Sequence, residues 1–163
     1  MQSPDVLGAT KRWLVDAVAF RVETALGLTI RGHFDRVGGS YEVGTDGTRI
    51  ELVVDATSID TGNGFWDGLL QSADSRRLEE HPHVRFTSTR VREVGDGTLH
   101  VEGHLEVMGK VEPVAFAAAV KEVDHGLQIE ATMTIDRRQL GKNVDRFAAF
   151  LPATVHITTH LSP

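Results

Sequence analysis

The sequence predicts an all-β protein, a single closed antiparallel β-barrel of about eight strands. Three observations predict it. Apolar and polar residues alternate with a period of two over much of the chain, glycine-rich turns separate these runs, and several runs are long. At 163 residues the chain is the size of one domain and can bury a core. Long strands paired in sequence order leave exposed edges, so closure into a barrel is the favoured arrangement.

Strands are predicted wherever apolar residues occupy every second position. Four runs show this alternation clearly: Leu28 to Phe34, Ile50 to Val54, Leu99 to Val107 and Leu127 to Ile135. The polar residues between them would face solvent, so each strand has one apolar face toward the interior and one polar face toward solvent. Residues 84–135 are accordingly predicted to form four antiparallel strands that pair in sequence order.

Two segments depart from this alternation. Residues 64–73 place apolar side chains close to helical spacing after Asn63, a suitable N-cap, so we predict one short helix that closes one end of the barrel. Residues 114–120 are apolar on both faces of the predicted strand. Because an apolar outer face usually meets a partner, this strand favours a homodimer.

Composition and charge exclude several classes of protein. The chain has 17 Lys and Arg against 23 Asp and Glu, a net charge of −6 and no long basic stretch, so nucleic acid is not an expected partner. It has no cysteine, which excludes disulfides, thiol catalysis and iron–sulfur clusters. No apolar run is suited to span a membrane, and no secretory signal precedes the first strand. We therefore expect a cytoplasmic protein without membrane insertion.

One short motif suggests catalysis, and it is weak. Asp60-Thr61-Gly62 matches the core of the aspartic-protease motif, in which two aspartates share a proton. The motif occurs once, so we interpret it as a turn after a strand. Hydrolase, nucleotide-binding and metalloprotease motifs do not occur in the sequence. No catalytic residue and no cofactor is predicted.

Histidines are numerous enough to raise the question of a metal site. His100 and His104 share one strand face, as do His156 and His160. Four residues along a strand separate each pair by ~13 Å, too far for one ion. Their phase also places all four on the polar outer face. We therefore predict no metal site.

Several longer stretches carry a family resemblance. In order, they are Val53–Asn63, Trp66–Asp74, His81–Thr89, Val101–Leu105, Val111–Val114 and Thr134–Arg137. Together they resemble the YceI-like family over about residues 13–160. This resemblance implies a lipocalin-like barrel, usually dimeric, with an axial tunnel that holds a polyisoprenoid or similar lipid tail. It makes residues 13–163 the barrel domain and residues 1–12 an N-terminal extension.

The favoured function is that of a carrier or buffer for a polyisoprenoid or another long apolar lipid. Small inward-facing residues such as Gly32 and Gly103 would leave room for the tail, although packing alone explains such glycines about as often as a cavity does. The expected lining is the apolar phase of the strands, with helix residues at the mouth: Phe20, Val22, Ile30, Leu52, Val54, Phe86, Leu105, Val107, Phe116, Leu127, Ile129 and Met133, then Phe65, Trp66, Leu69 and Leu70.

The alternative is a barrel enzyme acting on a lipid-like substrate. Asp60, Asp67 or His33 would then serve as acid or base, and that residue would have to point into the cavity. The alternation of residues 28–34 places His33 on the outer face, which counts against this alternative.

Overall fold

A computed structural model describes residues 11–63, 80–107, 109–135 and 152–163. Ten strands and one short 3-10 helix follow one another there: β1 Lys11–Glu23, β2 Thr29–Phe34, β3 Val37–Gly44, β4 Gly47–Asp55, the 3-10 helix Ala56–Ser58, β5 Ile59–Asp60, β6 His83–Gly95, β7 Thr98–Val107, β8 Lys110–Val123, β9 Gly126–Ile135 and β10 Ala153–Ser162. In these ranges no helix is both long and apolar enough to cross a membrane. The helix predicted near residues 64–73 lies outside the described residues.

The ten strands occupy eight strand positions around one barrel. β2 and β3 both pair with the same side of β1, and the chain passes from one to the other at residues 35–36. β5 pairs with β2 and β4 pairs with β3, so the 3-10 helix interrupts a second long strand in the same way. Counting each interrupted strand once gives a closed barrel of eight antiparallel strands. The predicted fold class is confirmed.

A hydrogen-bond network holds the interruption in place. The Asp55 carboxylate accepts hydrogen bonds from the backbone N–H of Thr57 and from the Arg36 guanidinium, each at 2.9 Å. The Ser58 hydroxyl accepts from the Arg36 backbone N–H at 3.0 Å and donates to the Asp55 carbonyl at 2.7 Å. Burial raises the pKa of Asp55, but the hydrogen bonds from Thr57 and Arg36 outweigh it and hold this pKa below the usual value.

Pairing between β1 and β10 closes the barrel. It runs antiparallel from Leu14 opposite Ser162 to Glu23 opposite Thr154. Around the rest of the barrel, β6, β7, β8 and β9 form the predicted four-stranded meander, each paired with the next. Closure protects most strand edges from edge-to-edge association, although β5 pairs with β2 alone and β4 pairs with β6 only over residues 51–55.

The two ends of the barrel differ in how the strands are connected. At one end, which we call the turn end, two residues separate β3 from β4, β6 from β7 and β8 from β9. At the other, the loop end, residues 24–28 join β1 to β2, residues 61–82 join β5 to β6 and residues 136–152 join β9 to β10. Both long connections therefore leave from the same end.

A packed core occupies the interior toward the turn end. Its buried members are Tyr41, Phe86, Leu99, Val101, Ala118, Leu127, Ile129 and Leu161. Val101 is completely inaccessible to solvent. Leu99 and Leu127 are each the second residue of their strand, counted from the turn end. The turn end is thus closed by close-packed side chains.

Two inward-facing glycines are covered by phenylalanine rings. A Cβ atom at residue 103 would meet the Thr87 carbonyl oxygen and lie 2.7 Å from Cζ of Phe86. At residue 32 it would lie 2.6 Å from the Asp60 carbonyl oxygen and 2.7 Å from Cζ of Phe20. The space that these glycines were expected to leave for a ligand is therefore filled by the two rings. Of the two explanations that the sequence leaves open for these glycines, the structure favours packing.

We expect Gly103→Ala to destabilise the protein by about 1–3 kcal/mol, because the new methyl group must displace both backbone and a buried ring. Urea denaturation followed by circular dichroism measures the loss. Gly38→Ala is the matched control, because no atom lies within 4 Å of its added Cβ. Equal stability of the two variants would contradict the tight seating of Phe86 over Gly103.

Candidate functional site

Several inward-facing apolar residues near the loop end keep part of their surface exposed. They include Val22, Ile30, Val107, Met133 and Val155. Val54 and Ala153, at the same end, are buried. A ligand entering at the loop end would therefore meet apolar side chains whose surface is still partly exposed.

Strand register gathers four of these residues on neighbouring strands. Val22 on β1 lies opposite Ile30 on one side and Val155 on the other. Val155 in turn lies opposite Met133 on β9. Directly opposed residues in antiparallel strands have Cβ atoms about 4.5–5.5 Å apart, so these four side chains form one continuous apolar strip.

The predicted lining residues differ in how far they are buried. Four are buried: Val54, Phe86, Leu127 and Ile129. Eight are half-buried: Phe20, Val22, Ile30, Leu52, Leu105, Val107, Phe116 and Met133. Phe65, Trp66, Leu69 and Leu70 lie outside the described residues. Contact of these residues with a ligand stays a prediction.

Aromatic rings mark the middle of the barrel. The ring centroids of Phe20 and Phe34 are 5.3 Å apart, as are those of Phe86 and Phe116. Both pairs are tilted, a favourable arrangement for neighbouring aromatic rings. The Phe86–Phe116 pair belongs to the packed core. Phe20 is the next inward-facing residue of β1 from Val22 toward the turn end, so its ring forms an apolar floor of the strip.

Sequence reasoning missed the inner face of β10. Val155, Ile157 and Leu161 face inward with the buried Thr159, opposite the inward residues of β1 and β9. A period of two was present from residue 155 to residue 161. Thr159 obscures this period in the sequence, because a threonine is polar and is not counted as part of an apolar face.

Polar groups on the outer surface bind the strands together at the loop end. His156 on β10 lies with its Nε2 2.7 Å from a carboxylate oxygen of Glu23 on β1, and its Nδ1 is 3.2 Å from the Thr132 hydroxyl on β9. The hydrogen bond to His156 lowers the pKa of Glu23, with smaller contributions from the charges of Arg21 and Arg31. These contacts connect β9, β10 and β1 next to the β1–β10 pairing that closes the barrel.

One group of side chains in the described part of the chain could hold a metal ion. His33, Asp35 and Asp60 place their ligand atoms within 4.8 Å of one another. His33 Nε2 is 2.9 Å from Asp35 Oδ1 and 3.8 Å from Asp60 Oδ2. All three lie at the outer surface with side chains about half exposed, and the His33–Asp35 contact accounts for the geometry without an ion. The pairing of β2 with β5 brings His33 and Asp60 together, and the sequence carries no signal for it.

A cleft of about 300 Å³ opens at the loop end. Its described lining is Thr29, Ile30, Arg31, Thr61 and Asn63. Asp60-Thr61-Gly62 does form the predicted turn: an Asp60 side-chain oxygen accepts a hydrogen bond from the Gly62 N–H at 2.8 Å. Ile30 lines this cleft and also belongs to the apolar strip.

Comparison with known proteins identifies related sequences. A family model for the YceI-like domain matches residues 13–162. A UPF0312 protein of Vibrio vulnificus is 30% identical over 92 residues, which are 55% of this chain and 49% of that protein. Protein YceI of Escherichia coli O157:H7 is 30% identical over 104 residues, 62% of this chain and 54% of its own length. The chain thus spans about half the length of the curated relatives it matches.

Solved structures share the fold at low sequence identity. BcnA of Burkholderia cenocepacia superimposes with a TM-score of 0.71 at 18% identity, covering 91% of this chain and 99% of that one. A polyisoprenoid binding domain from Saccharophagus degradans superimposes with a TM-score of 0.62 at 16% identity, covering 93% and 98% of the two chains. At such identities the likeness establishes the fold.

We expect the contribution of Glu23 to stability to disappear in acid. A carboxyl whose pKa is lowered by folding stabilises the protein above its unfolded pKa, which is 4.5 for this group, and the contribution is lost as pH falls through the folded pKa. Glu23→Gln should therefore lower Tm at about pH 7 and much less at about pH 3. Thermal melts at the two pH values measure this.

Glu122→Gln is the control for this experiment. Glu122 is exposed on β8 and has no ion pair among the described residues. Its substitution should leave Tm nearly unchanged at both pH values. A Glu23→Gln deficit of the same size in acid and at neutral pH would contradict the role of the Glu23 charge.

Proposed function

The chain belongs to the YceI-like domain family, as its motifs predict, and from this premise we propose that it binds the tail of a polyisoprenoid or similar apolar lipid inside the barrel. The observation that carries the proposal is the half-buried apolar strip at the loop end. A barrel of eight strands has an interior wide enough for one small ligand or for its own side chains. Here the side chains fill the half near the turn end, which leaves the loop-end half for a ligand.

The tail enters from the loop end and stops at the aromatic floor. Each buried methylene contributes ~0.8 kcal/mol, so one five-carbon unit contributes about 3–4 kcal/mol before ordering costs. Ordering a flexible chain reduces the net gain to about 0.3 kcal/mol per non-hydrogen atom. A tail that fills only half of the barrel is therefore bound reversibly, which suits a carrier or buffer.

Binding is favoured over catalysis by the position of the candidate acid and base groups. His33 and Asp60 lie together on the outer surface, and neither faces the interior where a tail would be held. Asp67, the third candidate, lies outside the described residues. Catalysis on a bound tail would need a titratable group among the inward-facing residues. The apolar strip has none, and Lys110 and Glu112, which share the face of Val107 and Leu105, are exposed at the end of β8.

The proposal has two further parts, a dimeric state and a cytoplasmic location. The alanines of the outer face of β8, Ala115, Ala117 and Ala119, are exposed, as a dimer contact of the isolated chain would require. Dimerisation through this face and a cytoplasmic location both stay predictions. Sedimentation at micromolar concentration measures the first, and a monomer mass would count against it.

Met133→Trp should block binding. The larger side chain would project from the apolar strip into the space proposed for the tail and lower the affinity for a fluorescent prenyl probe by about tenfold or more. Fluorescence titration of purified protein with the probe measures the change, and circular dichroism checks that the barrel is intact.

Thr134→Trp provides the matched control. Thr134 is the next residue of β9 and points to solvent, with its side chain exposed. The same substitution there should leave the affinity within about twofold of the parent protein. Equal affinities of the two folded variants would overturn the proposal that the tail lies against Met133.

A further inference from the structure

The turn between β1 and β2 presents leucines to solvent at the loop end. Leu26 is 58% exposed and Leu28 is 44% exposed, and Ala25 between Thr24 and Leu26 is exposed as well. Single exposed leucines are ordinary on protein surfaces. Two of them in one five-residue turn, next to the cleft lined by Thr29 and Ile30, form an apolar tip at the loop end of the barrel.

The backbone of this tip forms its hydrogen bonds internally. The Thr24 N–H donates to the Leu28 carbonyl at 2.9 Å, and the Gly27 N–H donates to the Thr24 carbonyl at 3.0 Å. The Thr24 hydroxyl donates to the Leu28 carbonyl at 2.9 Å and accepts from the Leu28 N–H at 3.1 Å. Gly27 allows this tight turn with a φ of 83°. These bonds satisfy part of the polar backbone of the turn, which lowers the cost of moving it out of water.

The charges behind the tip are mainly positive. Arg21 and Arg31 lie opposite each other on β1 and β2. Glu23 is the one acidic residue between them in the sequence, and it is bound to His156. The chain as a whole carries a net charge of −6, so this cationic hairpin is a local departure from the general charge. Arginines behind an apolar tip are complementary to a membrane surface with anionic head groups.

We propose that residues 24–28 dock the loop end of the barrel onto a bilayer that contains anionic lipids. The leucines enter the head-group region, the arginines face the lipid phosphates, and the entrance beside Ile30 lies against the membrane. A tail then passes between the bilayer and the barrel interior without crossing water. This inference rests on the proposed function, since it gives the route by which the tail reaches the strip.

The absence of cysteine from the sequence allows a clean test of position. Leu26→Cys and Val94→Cys are labelled with an environment-sensitive fluorophore and mixed with vesicles of phosphatidylcholine containing roughly a quarter phosphatidylglycerol. Val94 is the matched control, because it is 57% exposed and lies at the turn end. The label at residue 26 should brighten and shift to the blue, and the label at residue 94 should not change. Equal responses at both positions, or no response at residue 26, would overturn the proposal.

A second experiment separates docking from tail binding. The Leu26→Ser, Leu28→Ser double variant should bind a short soluble prenyl probe as the parent protein does, but it should extract a membrane-embedded prenyl probe from these vesicles about tenfold more slowly. Val94→Ser should change neither quantity. Unchanged extraction by the double variant would overturn the docking proposal. Failure of the parent protein to bind the soluble probe, with the label at residue 26 still entering vesicles, would overturn the proposed function and leave docking in place.

Discussion

Pairing between the first and last described strands is the contact on which the barrel depends. β1 and β10 lie at opposite ends of the sequence, and their register decides which side chains point inward. A slip of one residue would turn Phe20 and Val22 to the solvent and bring charged neighbours inside. The pairing of β1 with β10 contains one irregularity, a shift in register between Val15 and Ala17. That bulge lets Val15 and Val18 both face the interior although they are three residues apart.

The two ends of the barrel perform different tasks because their connections differ. Tight turns hold the strand ends together, so side chains at the turn end can pack into a core without gaps. The long connections leave from the loop end, where only β7 and β8 are joined by two residues, and several inward-facing residues there, such as Val22 and Met133, are half-buried. The network around Asp55 and Arg36 and the contact of Glu23 with His156 supply order at this end from the outer surface. Polar contacts outside therefore replace some of the apolar contacts missing inside.

The sequence predicts this architecture where the alternation is unbroken. Residues 99–107 and 127–133 alternate without interruption, and the structure places them on the strands and faces that this pattern predicts. Bulges and non-local pairing escape such reasoning. The shift in β1, the contact of His33 with Asp60 and the closing strand β10 all depend on hydrogen bonds between residues far apart in the chain. The covering of glycines by rings escapes as well, since a missing side chain reads as empty space until the neighbour that fills it is known.

Tail binding and barrel closure are connected through the residues they share. Val22 and Val155 lie opposite each other in the closing seam, and both also belong to the apolar strip. Without a ligand, Val22 and Val155 are packed less completely than the core residues. We therefore expect local opening of the β1–β10 pairing to cost the least free energy at the loop end. A bound tail would supply the missing contacts and stabilise the closed barrel, by ~2.7 kcal/mol at a ligand concentration a hundred times the Kd. Under the proposed function, the free protein would therefore be the more easily opened form and the loaded protein the more tightly closed one.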